Sequence, residues 1–294
     1  MTRAERKSLQ IGLAFISPWI IGFLAFTLYP VGASIYYSFC DYDVLSKPVW
    51  VGTLNYRDML TDSVFWKSLY NTLFFAAFSL PLGLVMSLLV AVLLNQSVRG
   101  RSVYRAIFFL PSLIPVVASS MIWLWILNGN FGLLNHALES IGLKGPQWLA
   151  DPAWTKPSLI LMSLWGCGQT VVVYLAALQD VPRSLYEAAD LDGASAWVRL
   201  WHVTIPMISP VIYFNLIMGI IGSLQVFATA YVMLGGGGPN RSALFYAVYL
   251  FQNAFEYRQM GYASAMAWML FLIILFLTWV ATRSTRRLIY YAGE

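Results

Sequence analysis

The sequence predicts an all-α polytopic membrane protein with six transmembrane helices, and three observations carry that prediction. Only 11% of the 294 residues are charged and 59% are hydrophobic, whereas a soluble globular chain carries about 25% charged residues. The mean hydropathy is +0.67. Six windows free of Asp, Glu, Lys, Arg and His run over 8–40, 68–98, 106–135, 157–179, 203–240 and 259–282. Each is long enough for a spanning helix, which needs about 20 apolar residues. A soluble protein of this composition would expose large apolar patches and aggregate, so an ordinary soluble enzyme is excluded, and so is disorder. Helices satisfy their own backbone groups in lipid, and the alternating pattern of a β-barrel is absent from the sequence.

The six helices are expected near 11–38, 69–95, 104–127, 157–178, 207–233 and 262–282, as one transmembrane domain over 1–294. The first follows a short basic arm. Its apolar window exceeds a signal-peptide core and no small-residue cleavage site follows, so it reads as a retained helix. Segment 40–67 is an outer loop with aromatics and mixed charge. The second span carries Ser79, Gly83, Ser87 and Ala91 at four-residue steps, a small-residue stripe suited to helix packing within the chain. Prolines Pro18, Pro30, Pro81, Pro111 and Pro115 fall in or near spans and predict kinks. Segment 129–156 is a second outer loop, with turn signals at Gly129, Gly132, Gly142, Gly145 and Pro146. Segment 235–258 is a third, opening on Gly235-Gly236-Gly237-Gly238-Pro239.

The net charge of +5 sets orientation rather than nucleic-acid binding, because the basic residues sit between apolar runs and form no stripe. Six spans put both termini on one side. The terminal side holds Arg3, Arg6, Lys7, Arg99, Arg101, Arg105, Arg183, Arg199, Arg283, Arg286 and Arg287. The other holds Lys47, Arg57, Lys67, Lys144, Lys156, Arg241 and Arg258. The excess predicts cytoplasmic termini in an inner or plasma membrane. Cys40 and Cys167 are too few for a disulfide scaffold or a zinc site.

The segment between the fourth and fifth spans, 180–206, is where charge and helix signals return. Pro182 suits a first helical turn, and Gly193 suits a left-handed stop. A second short helix with Trp197 and Trp201 on one side then leads to Pro206 and the fifth span. The whole reads as an amphipathic helix–turn–helix on the cytoplasmic face. Taken alone, it also fits a helix that merely lies on the membrane.

Glu187-Ala188-Ala189, three residues, Gly193, nine residues, then Val203, Ile205 and Pro206 resemble the signature of binding-protein-dependent ABC importer permeases, with Val203 and Ile205 where Ile and Leu are usual. Ser17-Pro18, Phe26-Thr27-Leu28-Tyr29-Pro30, Ser38-Phe39, Val51-Gly52, Asn55-Tyr56 and Phe109-Leu110-Pro111 resemble the carbohydrate-uptake branch. So do Gly132-Leu133-Leu134-Asn135, Gly236-Gly237-Gly238-Pro239, Ala254-Phe255-Glu256-Tyr257 and Gly261-Tyr262-Ala263. The nearest likeness is to the maltose/glycerol-phosphate type, one half of a permease heterodimer. The resemblance implies a type I importer permease fold. It also implies a second homologous permease, two ATP-binding subunits holding ATP and Mg, and an extracytoplasmic substrate-binding protein. Glu187, Ala188, Ala189, Asp190, Gly193 and Arg183 would then couple to the ATPase. The chain has no G-x-x-x-x-G-K-S/T phosphate loop, so ATP would be held by the partners and no cofactor by this chain.

For a substrate path, polar groups inside spans are the candidates. Trp165 and Gln169 share a face of the fourth span, with Tyr174 further along. Asn215, Gly219 and Ser223 repeat on the fifth, with Gln225 and Thr229 beyond. Sugars are held by hydrogen bonds and by stacking on aromatics, which Trp165, Gln169, Ser223 and Gln225 supply. The competing reading is interhelical hydrogen bonding, which weighs most at Tyr174, Asn215 and Gln225. In the resembled family an acidic residue follows the Phe of the fifth span. Here it is Ala228, and the glycine run is one residue longer, which blurs the carry-over there. No H-E-x-x-H or G-x-S-x-G set is present, and His136 and His202 fall on opposite faces, so neither a catalytic nor a metal site is expected. No Asp, Glu, Lys, Arg or His lies within the six apolar windows, which speaks against a proton-coupled carrier. A polyol or glycerol phosphate importer, or a stand-alone facilitator, is the alternative.

Overall fold

Proline, glycine and the surroundings of each span decide where the apolar windows stay helical. The computed structural model describes residues 2–96, 99–286 and 289–290; Arg287 lies outside them. The helices are α1 (Arg3–Phe23), α2 (Tyr29–Ser38), α3 (Leu54–Thr61), α4 (Ser63–Asn95), α5 (Arg101–Phe109), α6 (Val116–Ile126), α7 (Leu133–Ser140), α8 (Thr155–Trp165) and α9 (Gly168–Asp180). They continue with α10 (Arg183–Leu191), α11 (Ala196–Arg199), α12 (Ile205–Met207), α13 (Ser209–Leu224), α14 (Ala228–Leu234), α15 (Tyr246–Phe251) and α16 (Met260–Thr285). A two-residue pair, β1 (Cys40–Asp41) and β2 (Val49–Trp50), runs antiparallel.

Four stretches are long and apolar enough to cross a membrane: Arg3–Ser38, Ser63–Asn95, Ser209–Leu234 and Met260–Thr285. The third expected span is not one straight helix. It bends by 101° between Leu113 and Val116. Pro115 excludes its predecessor from the helical region, and Ile114 is extended, with ψ 128°. The fourth bends by 45° between Trp165 and Gly168. Counting each bent pair as one span restores six. Pro18 and Pro81 do not interrupt their helices, although proline predicts a break.

The contacts divide the chain into two compact units, the residues up to Asp62 with Leu250–Phe271, and Ser63–Tyr249 with the residues from Leu272 on. In the first, α1 opens on a reciprocal cap: Thr2 N–H donates to Glu5 Oε2 at 2.8 Å, and Glu5 N–H to Thr2 Oγ1 at 3.3 Å. A π-helical turn, Leu24–Leu28, joins α1 to α2. Asn55 Nδ2 donates to the carbonyls of Ser38 and Cys40, both at 2.9 Å. Gly261 packs under Cys40, where a Cβ would stand 2.0 Å from the carbonyl oxygen. Tyr262 and Trp268 on α16 donate to Asp62 Oδ2 and Ser34 Oγ.

The second unit is built around α4, which packs on α8, α9 and α13. One core gathers Phe75, Leu127, Leu159, Met233 and Phe245. The other gathers Val90, Ala91, Leu94, Val171, Tyr174, Leu178, Val181 and Ile208. Asn71 on α4 donates to the Arg241 and Leu244 carbonyls at 3.0 and 3.1 Å, and Thr72 Oγ1 accepts from Tyr246 N–H at 2.8 Å. These bonds tie down the loop after the glycine run. Both cysteines are free thiols.

Candidate functional site

The helix breaks of the second unit converge on one cavity. Its first lobe, about 300 Å³, is lined by Ser112, Ile114 and Ser119 beside the α5–α6 bend, by Trp165, Gly166 and Gln169 at the α8–α9 bend, and by Val226 and Thr229 beside the α13–α14 break. Its second lobe, about 370 Å³, is lined by Ser79, Gly83 and Ser87 of α4, Cys167 and Thr170 of α9, and Asn215, Gly219 and Ser223 of α13. The lobes share Phe75, Ser163, Gly166 and Val226. Irregular backbone at membrane depth is tolerated where it lines a cavity, and all three breaks meet that condition.

No Asp, Glu, Lys, Arg or His lines either lobe. The lining is hydroxyls, amides, a thiol, apolar side chains and the indole of Trp165, which is 36% exposed. Trp123 meets Trp165 edge-on at 5.9 Å between ring centres and limits its tilt. Gly168 brings the α9 start against α5. A Cβ there would meet Phe108 O at 2.7 Å, Ser112 Oγ at 3.0 Å and Phe109 Cα at 3.1 Å. Gly219 does the same between α13 and α4, where a Cβ would stand 2.2 Å from Leu80 Cδ1.

Of the sequence-named path residues, Trp165 and Gln169 line the first lobe, and Asn215 and Ser223 the second. Asn215 Nδ2 donates one of its two hydrogens to the Val211 carbonyl at 2.9 Å. Tyr174 lines neither lobe. It is 1% exposed within the core beneath α4 and α9. Gln225 also lines neither lobe; it is the exposed cap that ends α13. The α4 stripe, expected as packing alone, splits: Ser79, Gly83 and Ser87 face the second lobe while Ala91 enters the core. Ser112, Ser163 and Thr170 were not singled out in the sequence. Gly166-Cys167-Gly168 was the signal available, since paired glycines inside an apolar helix mark a break.

The segment between α9 and α13 takes the form its punctuation predicts. Pro182 precedes α10, and Gly193 sits at φ +72°, a conformation that strains any other L residue. Ser195 caps α11, accepting from Val198 N–H at 3.4 Å. Trp197 and Trp201 meet edge-on at 5.9 Å on one side. Arg183, Glu187, Ala188, Asp190 and Gly193 are exposed and Ala189 is half-buried; Leu191 is 90% exposed. Asp190 pairs with Arg199. Tyr186 and Thr204 share a hydrogen bond at 3.0 Å.

The chain belongs to the family described as binding-protein-dependent transport system inner membrane component, whose pattern matches residues 79–290. That span contains every lining residue of both lobes except Phe75, and the whole of α10–α12. The chain is 40% identical to the probable ABC transporter permease protein YesP of Bacillus subtilis, over 100% of this chain and 96% of that one. It is 34% identical to the lactose transport system permease protein LacF of Rhizobium radiobacter, over 97% and 99%. A chain from the crystal structure of a bacterial ABC transporter involved in importing the acidic polysaccharide alginate superposes with a TM-score of 0.84 at 26% identity, covering 97% of this chain and 98% of that one. The fold is therefore that of an ABC importer permease subunit in a membrane.

Proposed function

We propose that this chain is one of two homologous permease subunits of an ATP-driven importer that takes up a sugar or oligosaccharide handed over by an extracytoplasmic binding protein. The observation that carries the solute class is the two-lobed cavity. Its hydroxyls, amides and one indole suit a polar solute with ring C–H faces, and its lack of cations disfavours glycerol phosphate, which calls for charge-assisted hydrogen bonds. The lactose permease and the alginate importer are similar over nearly their whole length, which supports the same solute class here.

Trp165, Gln169 and Ser223 are assigned to the path. Asn215 contributes its oxygen, and Tyr174 and Gln225 act through packing and the α13 break. Arg183, Glu187, Ala188, Ala189, Asp190 and Gly193 form the docking face for a separate ATPase, which binds ATP and Mg. Both termini are cytoplasmic, and 1–294 works as one permease domain. Closure of the ATPase pair shifts the exposed α10 face, and the shift reaches the cavity through α9 and α13, where the segment is rooted. The test is uptake and ATPase copurification with Glu187→Ala and with Gly193→Pro. The expected result is loss of uptake in both. If both variants import normally and hold the ATPase, the docking assignment is wrong.

A further inference from the structure

The helices of the 180–206 segment are cross-tied. Near the start of α10, the Tyr186 hydroxyl shares a 3.0 Å hydrogen bond with Thr204 Oγ1, just before α12. Thr204 Oγ1 also donates to the Arg199 carbonyl at 3.3 Å. Near the end of α10, Asp190 pairs with Arg199. The segment is thus a closed frame. Its two roots, Val181 and Ile208, are buried in the same core as Tyr174 and Leu178, and Thr204 is buried with them. Between the roots the frame does not rest flat. A space of about 340 Å³, bounded by Asn95 at the end of α4 and Gln96 just beyond it on one side and by Tyr186, Arg199 and Thr204 on the other, lies beneath it.

We infer that Tyr186–Thr204 and Asp190–Arg199 are positioning residues that make this segment a rigid lever, so that a push on α10 moves α9 and α13 together. This rests on the reading of 180–206 as the coupling segment. The argument is mechanical. Gly193 gives the turn a backbone hinge with nothing within 4 Å of its would-be Cβ. Without the ties, α10 could fold toward the space beneath while α12 stayed still. With them, displacement reaches α13, whose Asn215 and Ser223 face the second lobe. An exposed ion pair adds little to stability, and one hydrogen bond between neutral hydroxyls is a modest fraction of it. Their loss therefore leaves the fold intact and removes stiffness.

The experiment uses the assembled importer in proteoliposomes, with ATP hydrolysis and solute uptake measured on one preparation. Tyr186→Phe keeps the ring and removes the hydroxyl. The expected result is uptake reduced about tenfold, the equivalent of ~1.4 kcal/mol, with ATP hydrolysis retained, so that more ATP is consumed per solute. Thr204→Val should do the same, and the double variant should be no worse than either single one. Arg199→Gln, which leaves the docking-face carboxylate in place and removes its partner, should lower uptake in the same way, again with ATP hydrolysis retained. Unchanged ATP-to-solute stoichiometry in Tyr186→Phe overturns the inference. A parallel fall of both activities also overturns it, because that marks lost docking rather than lost stiffness. Failure of the coupling reading itself looks different, since no ATPase would then copurify with the unmodified chain.

Discussion

The second and fourth spans are both apolar, yet they treat the backbone in opposite ways. α4 runs unbroken over Ser63–Asn95 with Pro81 inside it. The α8–α9 span, with no proline at its centre, bends by 45° beside Gly166. A proline costs a helix one donor and a clash, but at the exposed Pro81 the neighbouring turns keep the chain helical. At Gly166 the freed backbone borders the cavity, where polar side chains and water can reach it. In the second unit the breaks at Ile114, Gly166 and Val226 all border the cavity, and proline content alone does not tell where they fall.

The comparison is broken most strongly at Gly168. Replacing it with Val forces the α9 start off Phe108 and Ser112, an overpacking cost of about 1–3 kcal/mol. Uptake should be lost and thermal stability in detergent should fall, measured by transport and by a melting curve. A Gly168→Val protein with normal transport would mean that the α5–α9 contact does not shape the cavity. Next comes Trp165→Ala, which removes the indole from the first lobe. The half-saturating solute concentration should rise about tenfold, equivalent to ~1.4 kcal/mol, with little change in melting temperature. Binding measurements on the purified permease complex check it.

Tyr174→Phe sharpens the contrast between lining and core. It removes a hydroxyl from a packed site away from both lobes, so half-saturation should stay within about twofold, with any effect confined to stability at about 1 kcal/mol or less. A strong affinity loss would return Tyr174 to the path. The smallest effect belongs to Pro81→Ala. Since α4 is already continuous there, transport should be unchanged and stability should rise by a few tenths of a kcal/mol at most, well below the ~3 kcal/mol a helix-breaking proline costs.

The helix–turn–helix of 180–206 was legible in the sequence because its signals are local. Pro182, Gly193 and Ser195 act on their own backbone, and the structure puts α10 and α11 where those residues require. The continuous spans were legible from apolar length. The 101° bend at Ile114–Pro115 was not, because five prolines sat in or near spans and only the surroundings of each decide its effect. The packed position of Tyr174 has a geometric reason. It lies five residues beyond Gln169, about 140° around a helix of 3.6 residues per turn, so when Gln169 faces the lobe Tyr174 faces α4. Ser163 and Thr170 went unremarked because a lone hydroxyl in an apolar run looks the same in a core as in a cavity.

The most direct test of the account is a mild-detergent purification of the tagged chain from native membranes, with every copurifying protein identified by mass. The account predicts an ATP-binding subunit and a second homologous permease in stable association with this chain. A lone monomer or a homo-oligomer, reproduced in a different detergent, would contradict it and leave the cavity to a carrier that works without ATP.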